Sequence, residues 1–329
     1  MFDNDRSIHL INPLDKPAGS EWRTLSLFKE LKDHCAVSLW SEYTPHPLFL
    51  EEFPIKKIFP RLLKFPKKGT FVFVGFYYNI GRWIYFTRPK RIILVCNGPS
   101  LKRFLKRLHF LSIRGFPKVE IVYPSNLQKN LAGYPGAVEY SLIDIDKFRP
   151  SDISVPVDTH ISFTIGRLSR DVKEKHHTDD PALYLRLVNH GCRVRIMGGT
   201  CLETVLKCDE SVTLMPEGAY EARTFLQGLD CFYYRTSDKW LEPYGRVVAE
   251  AMACGLPVVC HNRGGFTELI DHGRNGFLFN TNEEACNILL RLKEDSVLRK
   301  TIGIAARQTI EEIYSPSRRA EIINFYLRK

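Results

Sequence analysis

The sequence predicts an α/β protein built from two doubly wound halves, and three observations carry this. Short apolar runs alternate with helical patterns along the chain, which is the signature of parallel sheets covered by helices. That alternation breaks near the middle, at 146–156, where Pro150, Ser151 and Pro156 mark a hinge. The length, 329 residues, suffices for two domains of ordinary size. The expected division is a first domain over 1–152, a second over 153–310, and a C-terminal helix at 311–329 that returns to the first domain.

In the first half, strands are expected at 7–11, 37–40, 70–74, 91–96 and 119–123. A Pro/Gly loop at 12–20 leads into a helix at 21–31. Further helices are expected at 99–109 and 127–132, the latter introduced by the capping residues Ser125 and Asn126. The second half repeats the alternation. It has strands at 161–165, 193–197, 212–215 and 231–234, with a helix at 181–189 stopped at Gly191. A helix at 246–254, stopped by Gly255, precedes an apolar strand through Val259. A helix at 266–272, a turn at 273–276 and a short strand at 277–279 follow, and helices fill the remainder. Two such halves are expected to bind a ligand at the C-terminal ends of their strands, in a cleft between them.

Composition narrows the class. Hydrophobic content of 44% and charged content of 26% are those of a soluble globular protein. Nine cysteines without a C-x-x-C spacing argue for reduced thiols in the cytoplasm and against a disulfide framework or a zinc site. The polar, acidic start at 1–5 does not read as a secretory signal, and the longest uncharged apolar run, 70–81, is too short to span a bilayer. Charge is uneven: residues 1–150 hold 24 Lys/Arg against 13 Asp/Glu, whereas residues 151–329 hold 23 against 24. Residues 53–119 contain 16 basic residues and no acidic one, interleaved with aromatics. Such a face suits an anionic membrane surface, a phosphorylated acceptor or nucleic acid; the plain alternative is a solvated basic face.

The stretch richest in chemistry is 242–279. Glu242 lies in a turn marked by Pro243 and Gly245, and Glu250 lies two turns into the following helix. The amides of Tyr244, Gly245, Arg246 and Val247 fall between them. A helix N-terminus attracts anions because its first amides lack partners. Two acids beside such a site repel phosphate, unless they grip hydroxyls. A ligand with sugars at its ends and phosphates in its middle reconciles the two, and that is a nucleotide sugar. Gly166 and Arg167 follow a predicted strand, and Arg167 with Lys175, or with Lys173 in its place, suits a diphosphate clamp. Gly198 and Gly199 end another strand and allow close backbone approach, although a plain tight turn explains them equally. Gly19 and Ser20 precede a helix, as Gly264 and Gly265 precede Phe266. His176 and His177 adjoin each other and do not read as a metal site; Asp144 and Asp146, beside the hinge, read as structural.

The string from Glu242 through Glu-Pro-Tyr-Gly-Arg-Val-Val-Ala-Glu-Ala-Met-Ala-Cys-Gly-Leu-Pro-Val-Val, continuing to Arg-Gly-Gly-Phe-Thr-Glu-Leu-Ile and Gly-Arg-Asn-Gly-Phe-Leu, closely resembles glycosyltransferase family 4. The resemblance implies the GT-B fold, two Rossmann-like domains facing a central cleft, and a retaining transferase. It implies that Glu242 holds donor-sugar hydroxyls, Glu250 holds the ribose, and Arg167 and Lys175 stabilise the departing nucleoside diphosphate. The amides at 244–247, with Gly166, Gly198, Gly199, Gly19 and Ser20, line the donor, and Met215 and Pro216 flank the base through backbone. In the first domain the loop carrying Glu21 and Arg23 resembles the acceptor side. Many relatives place a histidine near the anomeric centre; here Tyr77 and Tyr78 occupy the comparable place. No cofactor or metal is implied beyond the donor itself, a UDP-sugar in preference to a GDP-sugar. The acceptor implied is a glycan or lipid-linked hydroxyl of bacterial polysaccharide or lipopolysaccharide synthesis, met at the inner face of the cytoplasmic membrane. Two other readings compete: a nucleotide-sugar epimerase of similar fold, and a basic nucleic-acid-binding protein.

Overall fold

The structure is a computed structural model that describes residues 7–113, 115–151, 162–207 and 210–328. It contains two compact units: residues 1–142 with 315–329, and residues 143–314. The expected boundary at 152/153 lies outside the described residues. The division falls about ten residues earlier because Arg307 ties this stretch to the second unit, its Nη1 donating to the carbonyls of Ile145, Phe148 and Ala253.

The first unit is a seven-stranded parallel sheet. Its strands are β1 (Ile8–Ile11), β2 (Val37–Ser41), β3 (Ile55–Lys57), β4 (Lys68–Val74), β5 (Arg88–Val95), β6 (Val119–Tyr123) and β7 (Ala137–Val138). Their spatial order is β3-β2-β1-β4-β5-β6-β7. The covering helices are α1 (Gly19–Leu31), the single turn α2 (Pro47–Leu50), α3 (Leu101–Leu111) and α4 (Asn126–Ala132). The expected strands are all present. The two outermost ones, β3 and β7, were not anticipated, since three- and two-residue edge strands leave no readable periodicity. The interior strands bury nearly continuous apolar runs, such as Phe71 to Val74 and Ile92 to Val95, as a sheet covered on both faces requires.

The second unit is a six-stranded parallel sheet: β8 (Thr164–Leu168), β9 (Arg193–Met197), β10 (Val212–Met215), β11 (Cys231–Tyr234), β12 (Val258–His261) and β13 (Phe277–Phe279). They lie in the order β10-β9-β8-β11-β12-β13. Its helices are α5 (Asp180–Asn189), α6 (Ala222–Gln227), α7 (Arg246–Ala253), α8 (Asn282–Glu294) and α9 (Ser296–Ile313). The last helix, α10 (Pro316–Leu327), belongs to the first unit. There Arg319 pairs with Glu30 on α1, and Arg91 of β5 donates to the carbonyl of Phe325 at 2.8 Å. The expected helix at 266–272 is a shorter 3-10 turn, Gly265–Leu269.

The strand order reverses between β8 and β11, so the C-terminal ends of these two strands form the switch point where doubly wound sheets bind ligands. One correction bears on this place. The strand expected at 161–165 runs instead over Thr164–Leu168, which puts Gly166 and Arg167 inside it. Gly166 therefore does not face a ligand: a Cβ there would overlap Leu229 Cδ2. The glycine is demanded by packing between neighbours in the sheet. Gly166→Ala should cost about 1–3 kcal/mol, the usual scale of overpacking. Gly19→Ala, with nothing within 4 Å of the new methyl, should stay within about 0.5 kcal/mol. Urea unfolding of both variants checks this; equal midpoints would remove the packing role.

Candidate active site

Three of the residues singled out in the sequence, Arg167, Lys175 and Glu242, meet in one network at the β8/β11 switch point. Arg167 enters it from β8 with its side chain only 1% exposed. Nη1 donates to Asp180 Oδ2 at 3.2 Å and to the carbonyl of Arg235 at 2.9 Å, and Nη2 donates to the carbonyl of Lys175. The guanidinium also lies over the ring of Tyr234, 5.3 Å from its centroid. Lys175 closes a 3-10 turn and turns its ammonium onto Glu242 Oε2. The same carboxylate oxygen accepts from Tyr234 Oη at 3.0 Å and from Trp240 Nε1 at 3.3 Å. Lys173, the alternative lysine, is exposed.

This arrangement revises the expected clamp. Arg167 is buried and engaged with protein groups, so it meets Lys175 through the backbone and is not one of two surface cations facing a diphosphate. Arg170 is half-buried beside it, with its guanidinium 5.3 Å from the centroid of Trp240. The Lys175 ammonium lies 4.8 Å from the centroid of the same ring. Asp180, Tyr234 and Trp240 escaped the sequence reading. Asp180 sits at the start of α5 and accepts from Tyr233 Oη at 2.8 Å as well as from Arg167. Its one signal was an acid placed before a proline, which resembles any helix start.

Electrostatics follow from burial and partners. Burial pushes the Glu242 carboxyl up, but the Lys175 ammonium and the hydrogen bonds from Lys175, Tyr234 and Trp240 outweigh it and hold the group below its ordinary value. Glu250 behaves oppositely. Burial raises it, and Arg246, whose Nε donates to Oε1 at 2.7 Å, only partly compensates. Burial and the nearby Arg167 push His176 down to about 3. Geometry accounts for this. Nε2 donates to the carbonyl of Gly198 at 2.8 Å and Nδ1 is buried without a partner, so a second ring proton would have nowhere to bond.

The glycines have structural explanations. Gly198 has φ 80°, and a Cβ there would overlap the carbonyl oxygen of Ser169. The amides of Gly198 and Gly199 both donate to the carbonyl of Met215, at 2.8 and 3.0 Å. The close approach expected for a ligand is thus an approach of the protein to itself, and the Met215 carbonyl is already engaged; Pro216 follows it, exposed. Gly245, at φ 85°, opens α7, and a Cβ would lie 2.8 Å from Phe266. This seats the turn against the Gly264-Gly265 segment, where the Gly265 amide donates to the Glu242 carbonyl at 2.8 Å. Val247 follows on α7, while Tyr244 is buried with its hydroxyl 2.5 Å from that of Tyr314.

The remaining expected residues lie in the first unit. Gly19 and Ser20 begin α1, and Ser20 Oγ donates to Glu21 at 2.7 Å. Arg23 is buried; it bonds Asn97 at 2.9 Å and both the side chain and carbonyl of Glu139. Tyr78 is buried with its hydroxyl donating to the Ile11 carbonyl at 2.9 Å. Arg23 and Tyr78 are therefore internal struts and not acceptor contacts, since neither polar group faces solvent. Tyr77 remains 45% exposed, and its hydroxyl accepts from the Ser100 amide at 3.2 Å. Among the described residues no three His, Cys, Asp or Glu side chains are grouped to hold a metal, and no helix is long and apolar enough to cross a membrane.

Two predictions follow from the network. Arg167→Ala takes the nearer of two cations from the buried Asp180, leaving Arg235 Nη1 at 3.9 Å, and should cost about 3 kcal/mol of stability, the low end for a broken buried pair. Arg167→Met with Asp180→Leu should recover much of that loss in urea unfolding, whereas an additive double variant would deny the coupling. For His176 the folded group is depressed, so the unfolded chain binds the proton more readily. Its contribution is full above pH 6.5 and declines as pH falls towards 3. His176→Gln should flatten the fall in unfolding midpoint across that window. An unchanged slope would place the titration elsewhere, on His9 or His261, both pushed down to about 4.

Comparison with known proteins agrees with this geometry. The family described as "Glycosyl transferases group 1" matches residues 202–309. Spore coat protein SA of Bacillus subtilis is 36% identical over 88 residues, covering 26% of this chain and 23% of that protein. N-acetyl-alpha-D-glucosaminyl L-malate synthase of Bacillus anthracis is 33% identical over 87 residues, covering 26% and 22%. These matches thus span about a quarter of each curated relative. The Anabaena HepE structure, solved with UDP and glucose, superposes at a TM-score of 0.77 with 17% identity, covering 97% of this chain and 98% of that one. That similarity concerns the fold. Residues 202–309, within the second unit, accordingly match the Glycosyl transferases group 1 family, and the chain has the GT-B fold.

Proposed function

We propose that this protein is a retaining glycosyltransferase, acting without a metal, that moves a hexose-type sugar from a nucleoside-diphosphate donor to a hydroxyl of a glycan or lipid-linked acceptor. The observation that carries the reading is the Lys175–Glu242 pair, fixed by Tyr234 and Trp240 at the switch point and adjoining the N-terminus of α7. A cation and a carboxylate side by side at such a mouth suit the two halves of one substrate. Lys175 takes the diphosphate charge and Glu242 takes the sugar hydroxyls. Glu250 and the α7 amides then hold the nucleoside end.

In the reaction, the bond from the anomeric carbon to the diphosphate oxygen breaks, and the electron pair leaves with the phosphate. Lys175, with Arg170 beside it, stabilises the charge that develops there. The acceptor oxygen bonds to the anomeric carbon on the same face, and its proton passes to the departing phosphate. Arg167 acts as a positioning residue, because it fixes the carbonyl of Lys175. UDP is favoured as the nucleotide, since HepE and TarM, two of the structural neighbours, were solved with UDP. The chain's net charge of +10, concentrated in the first half, suits an acceptor on the anionic inner leaflet, as in polysaccharide or lipopolysaccharide synthesis.

Thermal unfolding against UDP, GDP and their sugars tests the donor, because ligand binding raises the midpoint by mass action. Lys175→Ala should lower kcat by about 10²–10³, the scale of one lost charge-stabilising group. Glu242→Gln should lower kcat/KM with the sugar nucleotide while leaving binding of UDP alone nearly intact. Full turnover in both variants would overturn the assignment. Conversion of the donor sugar with no acceptor present would point to an epimerase instead.

A further inference from the structure

We propose that the turn Phe59–Lys64 in the first unit is a membrane-docking knuckle, which inserts Leu62 and Leu63 into a bilayer carrying anionic headgroups. This rests on the reading that the acceptor is presented at a membrane, and goes beyond it by naming the contact. The turn follows β3, the outermost strand of the seven-stranded sheet. An antiparallel bridge between Phe59 and Lys64 closes it around the 3-10 turn Pro60–Leu62. Leu62 and Leu63, at its tip, are 61% and 65% exposed.

Backbone conformation singles out the tip. Among the described residues, Leu14 and Leu63 are the non-glycine positions with positive φ, 52° and 54°. Leu14 is 0% exposed and its conformation is held by packing. Leu63 is exposed and caps the 3-10 turn, its amide donating to the Pro60 carbonyl at 3.0 Å. A left-handed leucine is strained where a glycine would not be, so the cap places a large apolar side chain where the backbone alone favours none.

Charge then identifies the occupant. Lys56, Lys57, Arg61 and Lys64 surround the tip; all are exposed, and none meets a carboxylate among the described residues. Lys56 lies over the ring of Trp40, 5.4 Å from its centroid. A recess of about 560 Å³ opens here between Trp40, Phe59 and Phe65, with Lys56 and Lys64 beside it and the exposed Leu62 and Leu63 also on its lining. Lysines on an edge strand alone would be explained as protection against edge pairing, but exposed leucines work against that purpose. Nucleic acid offers phosphates and no hydrocarbon for the leucines. A second copy in a symmetric contact would bring four cations against four. An anionic bilayer satisfies both features, with headgroups for the lysines and acyl chains for the leucines.

Co-sedimentation with vesicles of phosphatidylcholine alone, or mixed with phosphatidylglycerol, tests this on the full chain. The protein should partition onto the mixed vesicles and not the neutral ones. Leu62→Ser/Leu63→Ser should weaken partitioning by on the order of tenfold or more at unchanged charge. Lys56→Glu/Lys64→Glu should weaken it about fivefold or more per residue at low salt. Leu63→Gly relieves the strained backbone, so it should bind vesicles less while its unfolding midpoint does not fall. Unchanged partitioning in these variants, equal binding to neutral vesicles, or a dimer that the leucine variant dissolves would each overturn the proposal. UDP-sugar binding, followed in the same variants, should be retained. Retained donor binding with no vesicle binding defeats the docking alone, whereas vesicle binding with no donor binding defeats the transferase reading alone.

Discussion

The second unit depends on a cation placed inside the protein. Arg167 gives its charge to Asp180, one N–H to the end of β11 through the Arg235 carbonyl, and another to the turn that carries Lys175. Removing a guanidinium from water is costly, and a buried ion pair seldom increases net stability over an apolar replacement. What it supplies is geometry: the two terminal nitrogens of one rigid plane link β8, β11, α5 and the 173–175 turn, while Nε is buried without a partner. The position of the Lys175 ammonium, and through it of Glu242, follows from that plane. Tyr233 and Tyr234, neighbours on β11, continue the network in two directions, one to Asp180 and the other to Glu242.

The loop between β8 and α5, polar in sequence, is fastened at several points. Asp171 accepts from the amides of Thr200 and Cys201, at 3.2 and 2.9 Å, which fastens the loop to the end of β9. His176 adds a bond to the Gly198 carbonyl from the other side. The glycine pair at 198–199 is thereby drawn into the support of Lys175. An imidazole that must stay neutral, an aspartate that must stay charged and a buried arginine all hold one exposed-looking turn in one place. Preorganised charge of this kind needs little rearrangement when a leaving group's charge develops.

Much of the fold was legible because its signals are local. Apolar runs of four to eight residues, bounded by Gly and Pro, gave the interior strands of both sheets, and β6, β9, β10, β11 and β13 fall at the expected residues. The edge strands β3 and β7 carry no such run. Gly166 misled for a physical reason: a glycine reads as the end of a strand, while here it makes room for Leu229 in the middle of one. In the site, Glu242, Glu250 and Lys175 were visible because charged residues near a helix start are informative in themselves. Asp180 and Tyr234 were not, since they meet Arg167 and Glu242 across a fold that the assembled sheet defines, and Trp240, though two residues from Glu242, carries no charge or turn signal of its own. Arg23 and Tyr78 read as surface groups because sequence does not report that Glu139 and Ile11 lie opposite them.

The two glutamates of the motif show how far position alone determines chemistry. Both are largely buried, and each faces one cation, yet their proton affinities move in opposite directions. Glu242 has an ammonium, a phenol and an indole N–H on a single oxygen, so three donors stabilise its negative form. Glu250 lies within α7 among Val248, Ala249, Ala251 and Met252, all buried, and Arg246 meets it through one nitrogen. A carboxylate surrounded by donors is held ionised and oriented. A carboxyl in an apolar setting, with Arg246 on one oxygen and only a weaker attraction from Lys147, has its charged form disfavoured by burial. The spacing of the pair states that two acids are present; their surroundings favour the charged form of one and disfavour that of the other.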